Sequence, residues 1–332
     1  MSEARTLGVV VIGRNEGRRL VACLDALRDQ DVPVVYVDSG SSDGSAEQAG
    51  ERVESVVVLD AARPFSAARA RNEGFERLVR THAGLAAVQF VDGDCVVDAG
   101  WLDVGRRCLV EHPRDGIVVG RLAERRPDAS IYNRLCAMEW RSPAGLVTEA
   151  GALGGIMMVR ADSFRALRGF DEHVIAGEDS ELGVRAVAAG WQIRKLDAPM
   201  ATHDADIHRF AQWWRRAVRS GHAIGQRFHL NGRGPARDCA RQRRSVLIWG
   251  FALPALALAL AWPTRGLSLL LLGLYGWLWL RIVRFRTGRG DAPDDARLYA
   301  RFTVLSKLAE AVGLLQFQWN RLRGRYRIIE YK

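Results

Sequence analysis

Cysteine is scarce, with five residues in a chain of 332: Cys23, Cys95, Cys108, Cys136 and Cys239. The number is odd and no pair has CxxC spacing. This argues against a disulfide framework and a zinc–thiolate site, and it suits a reducing compartment. The opening MSEARTLGVVVIG lacks a basic-then-apolar signal pattern and runs straight into a β-branched segment. Internal repeats and low-complexity tracts are lacking too. Apolar residues make up 48% of the chain, which is neither the deficit of a disordered protein nor the surfeit of a many-span membrane protein. Acidic residues fall short of basic ones, 38 against 48, leaving a formal charge of +10. A basic excess suits nucleic acid, anionic lipid or phosphorylated substrates, and its location decides among them.

What is present first is an alternation of short apolar runs and helical patterns. LGVVVI (7–12), PVVYV (33–37), SVVVL (55–59) and AAVQFV (86–91) read as strands, with helical patterns after residue 17, from Ser45 and over 66–80. Such alternation predicts an α/β fold, a mostly parallel sheet flanked by helices. The length accommodates one large α/β domain plus an appendage, here assigned to residues 1–240 and the remainder. Ligands of open sheets of this kind bind beyond the carboxyl ends of the strands. The polar clusters 13–17, 38–44 and 92–94 all fall at such ends.

Composition shifts near residue 245. Val246–Trp262 has 17 residues without charge, and Leu267–Leu280 is again uncharged. With Ile282 and Val283 included, residues 241–290 read as a C-terminal apolar helical hairpin, with two candidate transmembrane helices at about 246–262 and 267–283. The same segments also fit a hairpin lying on the membrane surface. Arg241, Arg243 and Arg244 precede the hairpin and Arg281, Arg284, Arg286 and Arg289 follow it, whereas the inner turn holds Arg265 alone. The positive-inside rule then places both outer ends, and the catalytic domain, on the cytoplasmic side of the cell inner membrane. This assigns much of the basic excess to the lipid surface, and no nucleic-acid partner is expected. In 291–332, Leu298, Phe302, Leu305, Leu308, Val312 and Leu315 recur at helical spacing ahead of Arg321, Arg323, Arg325 and Arg327. This predicts an amphipathic tail helix, on the membrane or packed on the main domain.

The chemistry centres on Asp92-Gly93-Asp94, which directly follows an apolar strand. Two carboxylates separated by one residue can face a single hard cation, Mg²⁺ or Mn²⁺, which takes oxygen ligands and shares them with phosphate. Asp38 ends a strand and opens the loop SGSSDGS, where it can accept hydrogen bonds from a base or ribose; Ser42 or Asp43 can cap the next helix. Glu178 and Asp179 open an apolar helix. There they suit the helix dipole, or one of them acts as a general base for an acceptor hydroxyl.

The ordered series VIGRNEGRRL, VDSGSSDGS, ARARNEG, VDGD and GEDSELGVR, over about residues 7–230, resembles the family 2 inverting glycosyltransferases of GT-A fold. The resemblance implies transfer of a sugar from a nucleotide-diphosphate donor, UDP- or GDP-linked, with a divalent metal as cofactor. It implies a base pocket lined by Asn15, Glu16 and Asp38. Arg69, Arg71 and Asn72 would lie near the donor, Asp92 at the ribose or metal, Asp94 on the metal, and Asp179 as base with Glu178 beside it. Gly154 and Gly155, within Gly151–Gly155, resemble the family's acceptor-side segment, and His203 is a candidate third metal ligand. Gln212, Arg215 and Arg216 are similar to the QxxRW motif of processive synthases, but Arg216 stands where tryptophan belongs, which counts against processive synthesis; the two arginines remain candidates for donor or acceptor phosphate. A membrane segment implies a lipid-linked or otherwise membrane-associated acceptor in cell-surface polysaccharide or glycolipid synthesis. Two alternatives stand beside this one: a nucleotidyltransferase of similar architecture, for which the GED segment has no evident role, and a non-catalytic membrane scaffold, against which the intact Asp92, Asp94 and Asp179 argue.

Overall fold

The structure, a computed structural model, describes residues 6–148 and 153–324. Gly151 of the acceptor-side segment, and Arg325 and Arg327 of the tail, lie outside the described residues. The chain divides into two compact units, Met1–Arg126 with Glu139–Asp206, and Pro127–Met138 with Ile207–Lys332. The division therefore falls at residue 206 and not near 240.

In the first unit the strands are β1 (Thr6–Gly13), β2 (Val34–Asp38), β3 (Ser55–Val58), β4 (Leu85–Asp92), β5 (Cys95–Val97), β6 (Asp115–Glu124), β7 (Gly145–Leu146), β8 (Met157–Arg160) and β9 (Gln192–His203). The helices between them in sequence are α1 (Arg18–Arg28), α2 (Ser45–Gly50), α3 (Ala67–Thr81), α4 (Trp101–Glu111), α5 (Ile131–Glu139), all but its last residue assigned to the second unit, α6 (Ala161–Ala166) and α7 (Glu178–Ala188). The sheet order is β3-β2-β1-β4-β8-β6-β9-β5, with β7 beside β9. It is a mixed sheet flanked by helices. β3, β2, β1 and β4 run parallel, and β8 pairs antiparallel with both β4 and β6. Val9, Val10, Val11, Val35, Val37, Val88, Phe90 and Val91 are fully buried. Side chains on both faces of these strands are covered, which is why they read as unbroken apolar runs.

The second unit is helical: α8 (Phe210–Asn231), α9 (Ala240–Val246), α10 (Leu253–Ala259), α11 (Leu274–Gly288) and α12 (Pro293–Arg323). A π-helical stretch, Leu247–Ala252, joins α9 to α10. The first candidate span ends at Ala259 and gives way to turns. Its apolar helical part, from Val246, is about 21 Å long at 1.5 Å per residue, short of the roughly 30 Å of a bilayer core. Among the described residues one helix, Leu267–Gly288, is long and apolar enough to cross a membrane. Trp262, Leu267 and Leu270 are 93%, 69% and 76% exposed. Arg286, one of the flanking arginines, is instead buried, paired with Asp291 and stacked on Tyr299.

The buried face of α12 also differs from the expected stripe. Leu308, Val312 and Leu315 are exposed, and Ala296, Ala300, Ala309, Ala311, Gly313, Leu314 and Phe317 are buried. The reason is the close approach of α8. A Cβ on Gly313 would lie 2.0 Å from the Val218 carbonyl oxygen, and one on Gly221 would lie 2.1 Å from that of Glu310. Small residues let helix backbones meet in this way, a habit common in apolar surroundings.

Candidate active site

The parallel register places Gly13 beside Asp38 and Ile12 beside Asp92. The loops that leave β1, β2 and β4 therefore emerge at one edge. Ser41 Oγ accepts from Asn15 N at 2.9 Å, Asn15 Oδ1 accepts from Ser42 N at 2.8 Å, and Asp43 accepts from Gly17 N at 3.0 Å. Loop 13–17 is thereby fastened to loop 38–44. Asp38 is buried, and its carboxylate accepts from Gly40 N, Ser41 N and Tyr36 OH at 2.8, 2.7 and 3.0 Å. A carboxylate has about four acceptor positions, so Asp38 shapes the turn and keeps capacity for one further donor. Burial, with the Asp38 charge adding to it, pushes the Tyr36 phenol up, so it stays a donor.

The two carboxylates of Asp92-Gly93-Asp94 have different partners. Asp92 Oδ1 accepts from Arg71 Nη2 at 2.7 Å, and the other Arg71 nitrogen, Nη1, donates to Glu178 Oε1 at 2.6 Å. Arg71 is 2% exposed. Burial opposes its charge, but Asp92 and Glu178 outweigh it and hold the guanidinium protonated. Burial, opposed by Arg71, raises the Asp92 carboxyl, and the charge of Asp94 raises it further. Gly155, at φ +74°, closes over this bridge. A Cβ there would lie 2.7 Å from Arg71 Nη2 and 3.0 Å from Asp92 Oδ2, so no other residue fits without displacing them.

Asp94 faces β9 instead. Its Oδ2 lies 3.4 Å from His203 Nε2, and Cys95, beside it, is aligned with His203 in the ladder. His203 Nδ1 is buried without a partner among the described residues. In either neutral tautomer a buried polar group of this ring goes unsatisfied, and Nε2 is free to turn its lone pair toward a cation shared with Asp94. A carboxylate oxygen and an imidazole nitrogen fit a divalent ion. Cys95 Sγ, part of the same cluster, donates to Asp94 Oδ1 at 3.3 Å, and burial first, then the Asp94 charge, raises its thiol well above the ordinary range. Trp140 packs perpendicular to the His203 ring at 4.8 Å.

Asp179, at the start of α7, is buried, and its Oδ2 accepts from Leu153 N at 2.9 Å and Gly154 N at 2.8 Å. Oδ1 has only a long 3.5 Å contact from Ser180 Oγ among the described residues. The acidic pair thus splits in role: Glu178 balances Arg71, and Asp179 holds the segment that carries Gly154 and Gly155.

The sequence profile described as glycosyl transferase family 2 matches residues 8–173, half of the chain. The chain belongs to glycosyl transferase family 2. A second profile, described as the N-terminal domain of galactosyltransferase, matches residues 145–210. This family 2 enzyme is 26% identical over 211 residues to the glycosyltransferase AglE of Haloferax volcanii, covering 60% of this chain and 67% of that one. It is 25% identical over 305 residues to the N-acetylglucosaminyl-diphospho-decaprenol L-rhamnosyltransferase of Mycobacterium tuberculosis, covering 74% of this chain and 98% of the relative. Its fold matches that of the mannosyltransferase PcManGT of Pyrobaculum calidifontis, solved in complex with GDP-Man and Mn²⁺, at a TM-score of 0.63 and 21% identity over 95% of this chain and 87% of that one.

Within this glycosyltransferase some expected donor residues serve the scaffold. Asn72 spends its amide on Phe170, donating to O and accepting from N at 2.9 Å each. Arg69 donates to the Asp60, Arg63 and Pro64 carbonyls and to Glu73. Glu16 pairs with Arg19 at 2.8 Å. Asp43 accepts from Ser45 N and Oγ, and the Oγ bond is the main cause of its lowered carboxyl. In the second unit, Gln212 accepts from His208 N and Arg209 N and so closes the start of α8; Arg215 and Arg216 lie on that same helix. Sequence reasoning missed Trp140 and the bridging role of Arg71. An indole and a guanidinium outside any carboxylate motif carry no local signal.

Proposed function

We propose that the enzyme transfers a sugar, with inversion, from a nucleotide-diphosphate donor to a lipid-linked or otherwise membrane-associated acceptor at the cytoplasmic face of the cell membrane, in cell-surface polysaccharide or glycolipid synthesis. The observation that carries this reading is the Asp94–His203 pair, 3.4 Å apart at the carboxyl edge of the parallel strands, with His203 Nδ1 unpartnered among the described residues. Asp94 and His203 would hold a divalent cation, which when bound offsets the charge of the departing diphosphate. The nitrogen ligand favours Mn²⁺ over Mg²⁺, which prefers all-oxygen sites. Asn15, Asp38 and the 38–44 loop would bind the nucleoside. Arg71, bonded to both Asp92 and Glu178, offsets their negative charge beside the donor. Asp179, fixed through Oδ2, would take the acceptor hydroxyl proton on Oδ1, so that the oxygen attacks as the diphosphate leaves from the opposite face. The lipid-linked acceptor named for the Mycobacterium tuberculosis relative, the exposed apolar helices and the span-length helix 267–288 support a membrane-associated acceptor.

The test is donor turnover by purified full chain. A panel of UDP- and GDP-sugars is incubated with Mn²⁺ or Mg²⁺ and a membrane extract as acceptor source, and nucleoside diphosphate release is recorded. One donor should be consumed, faster with Mn²⁺, and Asp179→Asn should lose on the order of a hundredfold or more. Undiminished turnover in Asp179→Asn would remove it as the base.

A further inference from the structure

The second unit contains a cavity of about 100 Å³ at the junction of α8, α9 and α12. Arg233, Arg243, Arg321 and His229 line it, with Phe228 and Phe317 as its apolar walls. The lining contains no carboxylate. Among the described residues none of the three arginines has an acidic partner, whereas Arg227 nearby is paired with Asp238 at 2.6 Å. Three cations converging without a counter-charge repel one another, a cost that an anion would remove.

Arg233, Arg321 and His229 are exposed, while Arg243 and the apolar floor are held in place. Arg243 lies over the Phe228 ring, 4.5 Å from its centre, which fixes the guanidinium plane and leaves its N–H edges free. Arg321 Nη1 stands 3.5 Å from His229 Nδ1. Phe317 is 1% exposed and forms a rigid floor. It can do so because residue 225 is glycine, where a Cβ would meet the Phe317 ring at 2.8 Å. Guanidinium groups fixed in fork geometry match the oxygens of a phosphate, and a ligand of that size fits this volume. The same unit carries the exposed apolar helices and the span-length helix. We infer that this cavity is a binding site for the phosphate group of an anionic lipid, separate from the donor site. The lipid source of the phosphate rests on the membrane reading above; the phosphate chemistry does not.

The test uses the full chain in a neutral detergent, titrated without donor or metal. The probes are dihexanoyl phosphatidic acid, inorganic phosphate and dihexanoyl phosphatidylcholine. Dihexanoyl phosphatidic acid should bind saturably. Arg243→Gln and Arg321→Gln should each weaken it about tenfold, as expected for loss of a charge-assisted hydrogen bond. Arg284→Gln and Arg301→Gln, which remove the same charge elsewhere in the unit, should leave it unchanged. Arg243→Lys, the milder change if Arg243→Gln fails to fold, should fall between wild type and Arg243→Gln. Inorganic phosphate binding as tightly as the short-chain lipid would overturn the lipid source and leave a soluble phosphate as ligand. Equal binding of phosphatidylcholine, or equal losses in pocket and control variants, would overturn the site. Because no turnover is read, failure here leaves the transferase reading intact, and failure of that reading leaves this one intact.

Discussion

Arg71 joins the two parts of the proposed site, since its guanidinium touches Asp92 at the end of β4 and Glu178 beside the candidate base. Removing one partner from a buried ion network leaves unbalanced charge, which costs about 3 kcal/mol or more. Arg71→Met should therefore lower the thermal midpoint by several degrees, and adding Glu178→Gln to that variant should recover part of the loss. Scanning calorimetry checks both; a double variant no more stable than Arg71→Met would mean that Glu178 is not the stranded charge. The motif ARARN did not reveal this division of labour. Arg69 and Asn72 stand three apart on α3 and share a face, turned to the 60–64 loop and Phe170, and Arg71 points elsewhere. A one-dimensional motif lists the residues, but the facing of the helix decides which of them meets Asp92. The carboxylates were legible for the opposite reason. Asp38, Asp92 and Asp94 each follow a strand long and apolar enough to fix where its end must lie.

Among the elements, the four parallel strands were legible because strands buried on both faces are written as plain apolar runs. The antiparallel turn at β8 was not, because a run such as MMV carries no direction. The C-terminal helices misled in a physical way. The expected stripe of α12 was built from its large apolar residues, whereas its packed face is built from alanine and glycine, which admit the α8 backbone. Gly313→Ala should therefore force a methyl group against the Val218 carbonyl and destabilise the unit by roughly 1–3 kcal/mol. Gly276→Ala, where a Cβ meets nothing within 4 Å, should be neutral or stabilising by at most about 1 kcal/mol. Thermal unfolding of the two variants in the same detergent makes the comparison, and equal midpoints would deny the close α8–α12 contact.

At the scale of the whole molecule, charge and apolarity are divided between the two units. The first carries a carboxylate-lined edge suited to a metal and a diphosphate. The second carries exposed leucines and tryptophans, a helix of span length and a cluster of arginines with no acidic partner among the described residues. Exposed apolar side chains gathered on a few helices suit an interaction or membrane surface. The sequence made this division visible through the shift in composition near residue 245. It did not show that α8 and residues 127–138 group with the apolar unit, because their side chains are as mixed as those of any surface helix. In the proposed function the first unit holds the donor through a cation at Asp94 and His203. The most direct measurement is calorimetric titration of UDP and GDP into the full chain, with and without Mn²⁺, for wild type, Asp94→Asn and His203→Ala. Binding of one nucleotide should require Mn²⁺, be lost in Asp94→Asn and fall at least tenfold in His203→Ala. Equal, metal-independent binding by all three proteins would contradict this reading.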